Sequence, residues 1–261
     1  MGRLIDLLII ILTSFVCFGA VIPSPGTREK EQAESLKILT YNIRNCVGLD
    51  KVADYQRIAD VIKRIDAGVV AIQEVDSATS RSKNVVVLNE LATRTNMFAT
   101  YSSSIDFQGG KYGVGILTRE KPVSWQKVSL PGKEEKRSLL IVELKNFVIC
   151  CTHLSLTKDD RLTSAEIICE AARKYSKPVF LAGDLNSEPG SVELNSLQKE
   201  WLMLNNPLEP TFPADKPNKC IDFILVRKID KDHIDVFDSK VEIENTASDH
   251  RPVWVSISLK K

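Results

Sequence analysis

This chain is short of several things, and each shortage narrows what it can be. It has three histidines and no Cys-x-x-Cys pair, which argues against a structural zinc site, because such sites gather thiolates and imidazoles at close spacing. It has no surplus of either charge: 35 lysines and arginines stand against 34 aspartates and glutamates. No bulk positive field therefore announces nucleic acid or an anionic membrane as partner, although a local basic groove stays open. It has no apolar run of the ~18 to 20 residues that span a bilayer. Between residues 36 and 261 there is no internal repeat and no low-complexity tract, which leaves out repeat arrays. What remains, 261 residues with 43% hydrophobic and 26% charged side chains, has the composition of an ordinary globular protein with one substantial core.

The first twenty residues differ from the rest. Arg3 gives a positive start, Leu7 to Phe18 is almost wholly apolar, and Gly19-Ala20 offers small residues for cleavage. This pattern predicts a secretory leader over 1–20, with a retained membrane anchor as the alternative. Residues 21–35, rich in polar residues and carrying two prolines, predict a tether, so the folded domain is expected over 36–261. The chain is expected to be exported, secreted or periplasmic. Of six cysteines, Cys17 falls in the leader, leaving an odd set: Cys46, Cys150, Cys151, Cys169 and Cys220. Adjacent Cys150 and Cys151 on one strand would face opposite sides, and the set is read mainly as small buried hydrophobes.

Strand and helix signals alternate along the domain. Strands are predicted at 36–43, 69–74, 112–118, 138–144, 146–154, in "PVFLAGDLN", in "CIDFILV", in "VEIE" and at 252–259. Helices are predicted at 54–66, behind a capping Asp54 and closed by Gly68, then at 85–95, and around Leu162, Ala165, Cys169 and Ala172. Helix-linked strands mixed with adjacent hairpins predict an α/β (α+β) fold with a mixed sheet, or two sheets, covered by helices.

Nearly every apolar strand ends in or opens on a side chain able to hold a metal or a proton. Asn42 follows "LKILTY", Glu74 follows "VVAIQ", His153 follows "VICCT", and Asp184 and Asn186 follow "VFLAG". Asp222 opens "DFILV", and Asp249-His250 precedes "PVWVSISL". Any one carboxylate at such a place has an ordinary explanation as a turn cap. Six unrelated caps would not need this selection. Asn42, Glu74 and Asp249 are hard oxygen ligands suited to Mg²⁺ or Mn²⁺. An imidazole held by a carboxylate, such as His250 by Asp222, can take a proton from water. His153 can hydrogen-bond a phosphoryl oxygen. Hydrolysis of a phosphate ester uses all of these parts.

In their order, "LTYNIR", "VVAIQEVDS", "YGVGILTRE", "VICCTHLS", "GDLNSEPGS", "IDFILV" and "SDHRPVWVSI" resemble the endonuclease/exonuclease/phosphatase superfamily across essentially the whole domain. The resemblance implies a four-layer α/β/β/α sandwich, two sheets flanked by helices, with the site at one edge. It implies a divalent-metal-dependent phosphoesterase in which Glu74 is the principal ligand, with Asn42 and Asp249 near the same ion. It implies that Asp184 and Asn186 position the attacking water and a phosphate oxygen, and that either Asp184 or the His250–Asp222 dyad takes the proton. His153 stands where the nuclease and sphingomyelinase branches carry histidine and the apurinic-endonuclease branch a tyrosine, which disfavours abasic-site repair. Arg137 and Arg161 are candidate phosphate contacts, with solvated charges in "EEKR" and "KDDR" as the plain alternative. His233 is read as a surface or turn histidine, and Trp125, Trp201 and Trp254 as core. The substrate, a nucleic acid or a lipid or sugar phosphate, stays open, as does a non-catalytic binding module. The chain is expected to act as a monomer with no obligate protein partner.

Overall fold

The computed structural model describes residues 35–260. The expected leader, and all but the last residue of the expected tether, lie outside the described residues.

Two six-stranded sheets form the middle. In chain order the strands are β1 (Ser35–Asn42), β2 (Val69–Ser77), β3 (Phe98–Phe107), β4 (Gly110–Thr118), β5 (Ser124–Leu130), β6 (Arg137–Glu143), β7 (Val148–His153), β8 (Val179–Asp184), β9 (Trp201–Met203), β10 (Asp222–Arg227), β11 (Ile234–Val241) and β12 (Val253–Leu259). One sheet runs β11-β12-β1-β2-β4-β3 and the other β5-β6-β7-β8-β10-β9. Each is mixed, with a single parallel pair at its centre, β1 with β2 and β7 with β8.

Alternation along the strands explains the layering. In β7, Ile149 and Cys151 face the other sheet, while Val148 and Cys150 face helices. The seam between the sheets is filled by residues such as Ile38, Ala71, Ile116, Ile149, Phe180 and Ile224, all fully buried. Phe147 meets Phe180 edge-on there, with ring centroids 5.7 Å apart. The outer face of the first sheet is covered by α1 (Tyr55–Ile65) and α2 (Val87–Thr95), and that of the second by α3 (Lys158–Ala172) and α4 (Val192–Leu197). The result is the four-layer sandwich that the family resemblance implies.

Local signals behave as expected at α1. The Asp54 carboxylate accepts the Arg57 amide at 2.9 Å, satisfying an N–H that a helix start leaves without a partner. The helix ends differently from the prediction, on Asp66 in the left-handed conformation (φ 60°). Gly68 serves another purpose, since a Cβ there would lie 2.7 Å from Leu36 Cδ1.

Three further expectations change. The strand placed at "VEIE" lies earlier, at Ile234–Val241, because its partner β12 runs out at Val253 and the next residue, Pro252, has no N–H to give a ladder. Strands β3, β5 and β9 and helix α4 were not foreseen; all three strands lie on sheet margins, where polar residues interrupt the apolar pattern of β3 and β5 and β9 is only three residues long. Trp125 is not core: on the edge strand β5 it is 58% exposed, whereas Trp201 and Trp254 are buried. His233 is exposed at the end of a short 3-10 segment, Lys228–His233, and all five described cysteines are buried and unbridged.

Candidate active site

Register brings the polar strand ends to one edge. Asp184, the last residue of β8, lies directly between His153 of β7 and Asp222 of β10. In the facing sheet Asn42 ends β1, and Glu74 sits in β2 at a bulge where pairing with β4 slips between Ile72 and Val75. Glu74 there takes φ 60°, and Asn186 φ 47°. Left-handed backbone is costly for residues with a Cβ, and a bulge is the common device for re-aiming one side chain out of a sheet.

The Asn42 amide is the junction. Its Nδ2 lies 3.0 Å from Glu74 Oε1, 3.1 Å from Asp184 Oδ2 and 3.5 Å from His250 Nε2. Asn42 is itself fixed, since Oδ1 accepts the Arg44 amide at 3.1 Å and its carbonyl accepts the Ser248 hydroxyl at 2.7 Å. Asp184 Oδ2 also lies 3.5 Å from His153 Nε2 and 3.6 Å from His250 Nε2, while Oδ1 accepts the Asn186 amide at 3.0 Å. Asn186 Nδ2 donates to Leu154 O at 2.9 Å, tying the loop after β8 to the end of β7.

The pairing of His250 with Asp222 is present in the geometry: Nδ1 lies 3.0 Å from Asp222 Oδ2. The same oxygen accepts Thr211 Oγ1 at 2.5 Å, Phe212 lies against the imidazole at 4.7 Å between centroids, and Asp222 Oδ1 is buried without a protein partner. Ser248 Oγ also lies 3.3 Å from Asp249 Oδ1, and Arg44 lies 3.6 Å from Asp249 Oδ2.

The two site histidines are tuned apart. Burial resists charge on His250, but the Asp222, Asp184 and Asp249 carboxylates outweigh it and raise its pKa to about 10. His153 is governed by burial, helped by Arg137 and His250, and is lowered to about 4. The carboxylates thus favour the charged form of His250, and burial favours the neutral form of His153. Burial, with Asp249 and Asp184 nearby, raises Glu74 despite the Asn42 hydrogen bond.

Crowding of carboxylates around Glu74 is the condition that a cation relieves, and the oxygens of Glu74 and Asp249 suit a hard divalent ion, which Asn42 would join through the second lone pair of the Oδ1 that accepts the Arg44 amide. Asp184, Asp222 and His250 also each offer a ligand atom within 4.8 Å of the others. Both His250 nitrogens already face carboxylates there, so that trio is a hydrogen-bonded relay more than an ion cage.

The two arginines stand apart from this junction. Arg161 is held by Glu193 at 2.5 Å and by the carbonyls of Ser155 (3.1 Å) and Leu156 (2.7 Å). Four of its five N–H groups are thereby taken, so it braces loops and has little left for a phosphate. Arg137 is buried at the start of β6 and pairs with Glu134 at 3.2 Å and Glu135 at 2.8 Å. Sequence reading assigned nothing to Thr211 or Ser248. Ser248 was in view in "SDH", beside two assigned residues, whereas Thr211 comes from a loop without a local signal.

A family model described as the Endonuclease/Exonuclease/phosphatase family matches residues 39–250. No curated protein sequence is significantly similar to the chain. Among solved structures, an endonuclease/exonuclease/phosphatase from Beutenbergia cavernae aligns at 23% identity and TM-score 0.72, covering 87% of this chain and 72% of that one. A mannosyl-6-phosphatase of Bacteroides thetaiotaomicron aligns at 17% identity and TM-score 0.69, covering 86% and 100%. The human Nocturnin catalytic domain, with bound sulfate, aligns at 17% identity and TM-score 0.66, covering 87% and 94%. At these identities the structures share the fold. The matched span runs from the first central strand to His250, and with it this chain belongs to the endonuclease/exonuclease/phosphatase family, divalent-metal-dependent hydrolases of phosphoester bonds.

Proposed function

We propose that the chain, exported by its first twenty residues, acts as a monomer and hydrolyses a phosphomonoester or phosphodiester with Mg²⁺ or Mn²⁺ held by Glu74, Asn42 and Asp249. The observation that carries this reading is the meeting of Glu74, Asp184 and His250 on the single amide nitrogen of Asn42. When bound, the ion neutralises phosphate oxygens and the negative charge developing on the leaving oxygen.

The chain's own residues divide the remaining work. His250 has a carboxylate at each ring nitrogen, Asp222 at Nδ1 and Asp184 at Nε2, and these favour its charged form, so it serves as a donor: Nε2–H braces a phosphoryl oxygen as charge grows in the transition state. Asp222, through Nδ1, keeps that ring oriented and charged. Asp184 is then the proton acceptor for the attacking water, in a position fixed by the Asn42 and Asn186 hydrogen bonds. Water oxygen bonds to phosphorus, the water proton passes to Asp184, and the ester P–O bond breaks with its electron pair going to the leaving oxygen, which takes a proton from solvent. The neutral His153 offers a hydrogen bond to the same phosphoryl group without adding a second positive charge.

The test is turnover of bis-p-nitrophenyl phosphate after chelation with EDTA and re-addition of Mg²⁺ or Mn²⁺. Activity is expected to vanish and return. A saturating ion at ~100 times its Kd should also stabilise the fold by about 2.7 kcal/mol, an increment that Glu74→Gln should remove. Undiminished activity in EDTA, or in Glu74→Gln, overturns the assignment.

A further inference from the structure

Beyond the reaction centre, the same edge of the sandwich carries a second feature. Ser104, Lys127, Ser129, Leu130, Lys136 and Arg137, with Pro131, line an open groove of about 450 Å³ between the margin strands β3 and β5. Resting on the hydrolytic reading above, we propose that this groove is an anion subsite that receives a second phosphate of the substrate.

The placement follows from register. Leu139 of β6 pairs with Thr152 of β7, so Arg137, two residues earlier, comes level with Leu154, immediately after His153. One to two strand spacings, ~5–10 Å, therefore separate the groove's inner wall from the reacting phosphate. A second phosphate carried across one sugar spans such a gap.

The groove's chemistry is cationic and preorganised. Arg137 is only 6% exposed, and its Nη atoms are taken by Glu134 and Glu135, but its Nε has no acceptor. A buried donor without an acceptor is costly, and an oxyanion supplies one. The two glutamates outweigh Arg137 by one charge, so the positive surplus comes from the exposed Lys127 and Lys136 and leaves the groove with one net positive charge; among the described residues Lys136 makes no ion pair. Lys127 donates to the Ser103 carbonyl, which holds its amine across from β3, and the Ser104 hydroxyl is 2.9 Å from that of Ser138.

The connecting loop is built to hold shape. A Cβ at Gly132 would lie 1.7 Å from the Glu135 carbonyl oxygen, so the turn closes on itself. Glu134 accepts the Leu156 amide at 2.7 Å and the Ser155 hydroxyl at 2.9 Å, and Lys133 N donates to Asp160 at 2.7 Å. Partial burial works against the charge on Glu134, but these donors and Arg137 overcome it and hold the carboxyl at about 2. The groove is thereby fastened to the segment that follows His153.

The test compares the p-nitrophenyl ester of thymidylate with and without a phosphate on the far hydroxyl of its sugar. The wild-type chain should show a KM about tenfold lower for the doubly phosphorylated ester, the worth of one charge-assisted hydrogen bond. Lys127→Gln combined with Lys136→Gln should abolish that preference and leave kcat/KM for the singly phosphorylated ester within about twofold. In parallel, calorimetry in EDTA should find thymidine bisphosphate binding about tenfold more tightly than thymidine monophosphate to the wild type, and equally to the double variant. Inositol bisphosphate in the same assay tells a nucleic-acid backbone from a sugar phosphate as the source. Equal binding of mono- and bisphosphates by the wild type, or a preference that survives in the double variant, overturns the subsite. Absence of turnover with both esters while the binding difference stands would strike the hydrolytic reading alone.

Discussion

The same two sheets behave in opposite ways in their middle and at one edge. Between them, Ile38, Ala71, Ile149, Ala182 and Ile224 are fully buried against one another, and loss of any contact is a loss of stability. At the edge the same strands carry Asn42, Glu74, His153, Asp184 and Asp222, where four carboxylates, counting Asp249, gather. The middle satisfies every surface it buries, while the edge keeps Asp222 Oδ1 unpartnered and Glu74 in a left-handed backbone. Stability and function are separated along single strands, within a few residues of chain.

That separation can be broken from either side. The largest effect is expected at the edge: Glu74→Gln should cost about 10³-fold or more in kcat, several kcal/mol of lost charge stabilisation, with the urea midpoint in EDTA unchanged or raised. A matching fall in midpoint would show that the edge also carries stability. His250→Gln should cost about 10²–10³-fold in kcat. In the middle, Phe180→Ala should cost about 3–5 kcal/mol of unfolding free energy, read by urea denaturation, while the folded fraction keeps kcat within a few-fold.

The histidines sharpen the comparison through pH. His250, raised from 6.5 to about 10, contributes stability that is complete below pH 6.5 and is lost as pH rises toward 10. His153, lowered from 6.5 to about 4, must stay neutral in the fold, so stability falls as pH drops from 6.5 toward 4. Unfolding measured in EDTA at several pH values should therefore peak near pH 6.5. His250→Gln should flatten the alkaline side and His153→Gln the acid side, and a wild-type profile without either slope would refute the tuning. A smaller effect is expected at Thr211→Val, about tenfold in activity, through the Asp222 oxygen that Thr211 supports. The smallest concerns the cysteines: with all five buried and unbridged, a reductant should leave the midpoint unchanged.

What could be read from the sequence follows the same division. Central strands such as "VFLAGD" are continuous apolar runs because both faces are covered, and their polar ends stand out against that background. That contrast exposed Asn42, Glu74, His153, Asp184, Asp222 and His250. The margin strands gave no such signal: in β5, "SWQKVSL", only Leu130 is buried, so neither the strand nor the exposure of Trp125 was legible. The partner of Arg161 was not legible for a different reason, because the Glu193 that holds it lies 32 residues away in sequence. Long-range partners of charged side chains are set by the fold and leave no local pattern.

The Glu74 bulge has one further implication. The carboxylate is aimed by the sheet's own pairing error, and the other groups at the junction come from separate strand ends, each leading into a different loop. Lengthening or exchanging any one loop leaves the other contributions where they are. A laboratory seeking new substrates can therefore vary the loop at 131–136 on a fixed mount, provided Glu134 keeps its bonds to Ser155 and Leu156 and the two residues without partners in β4, between Ile72 and Val75, are never restored to register.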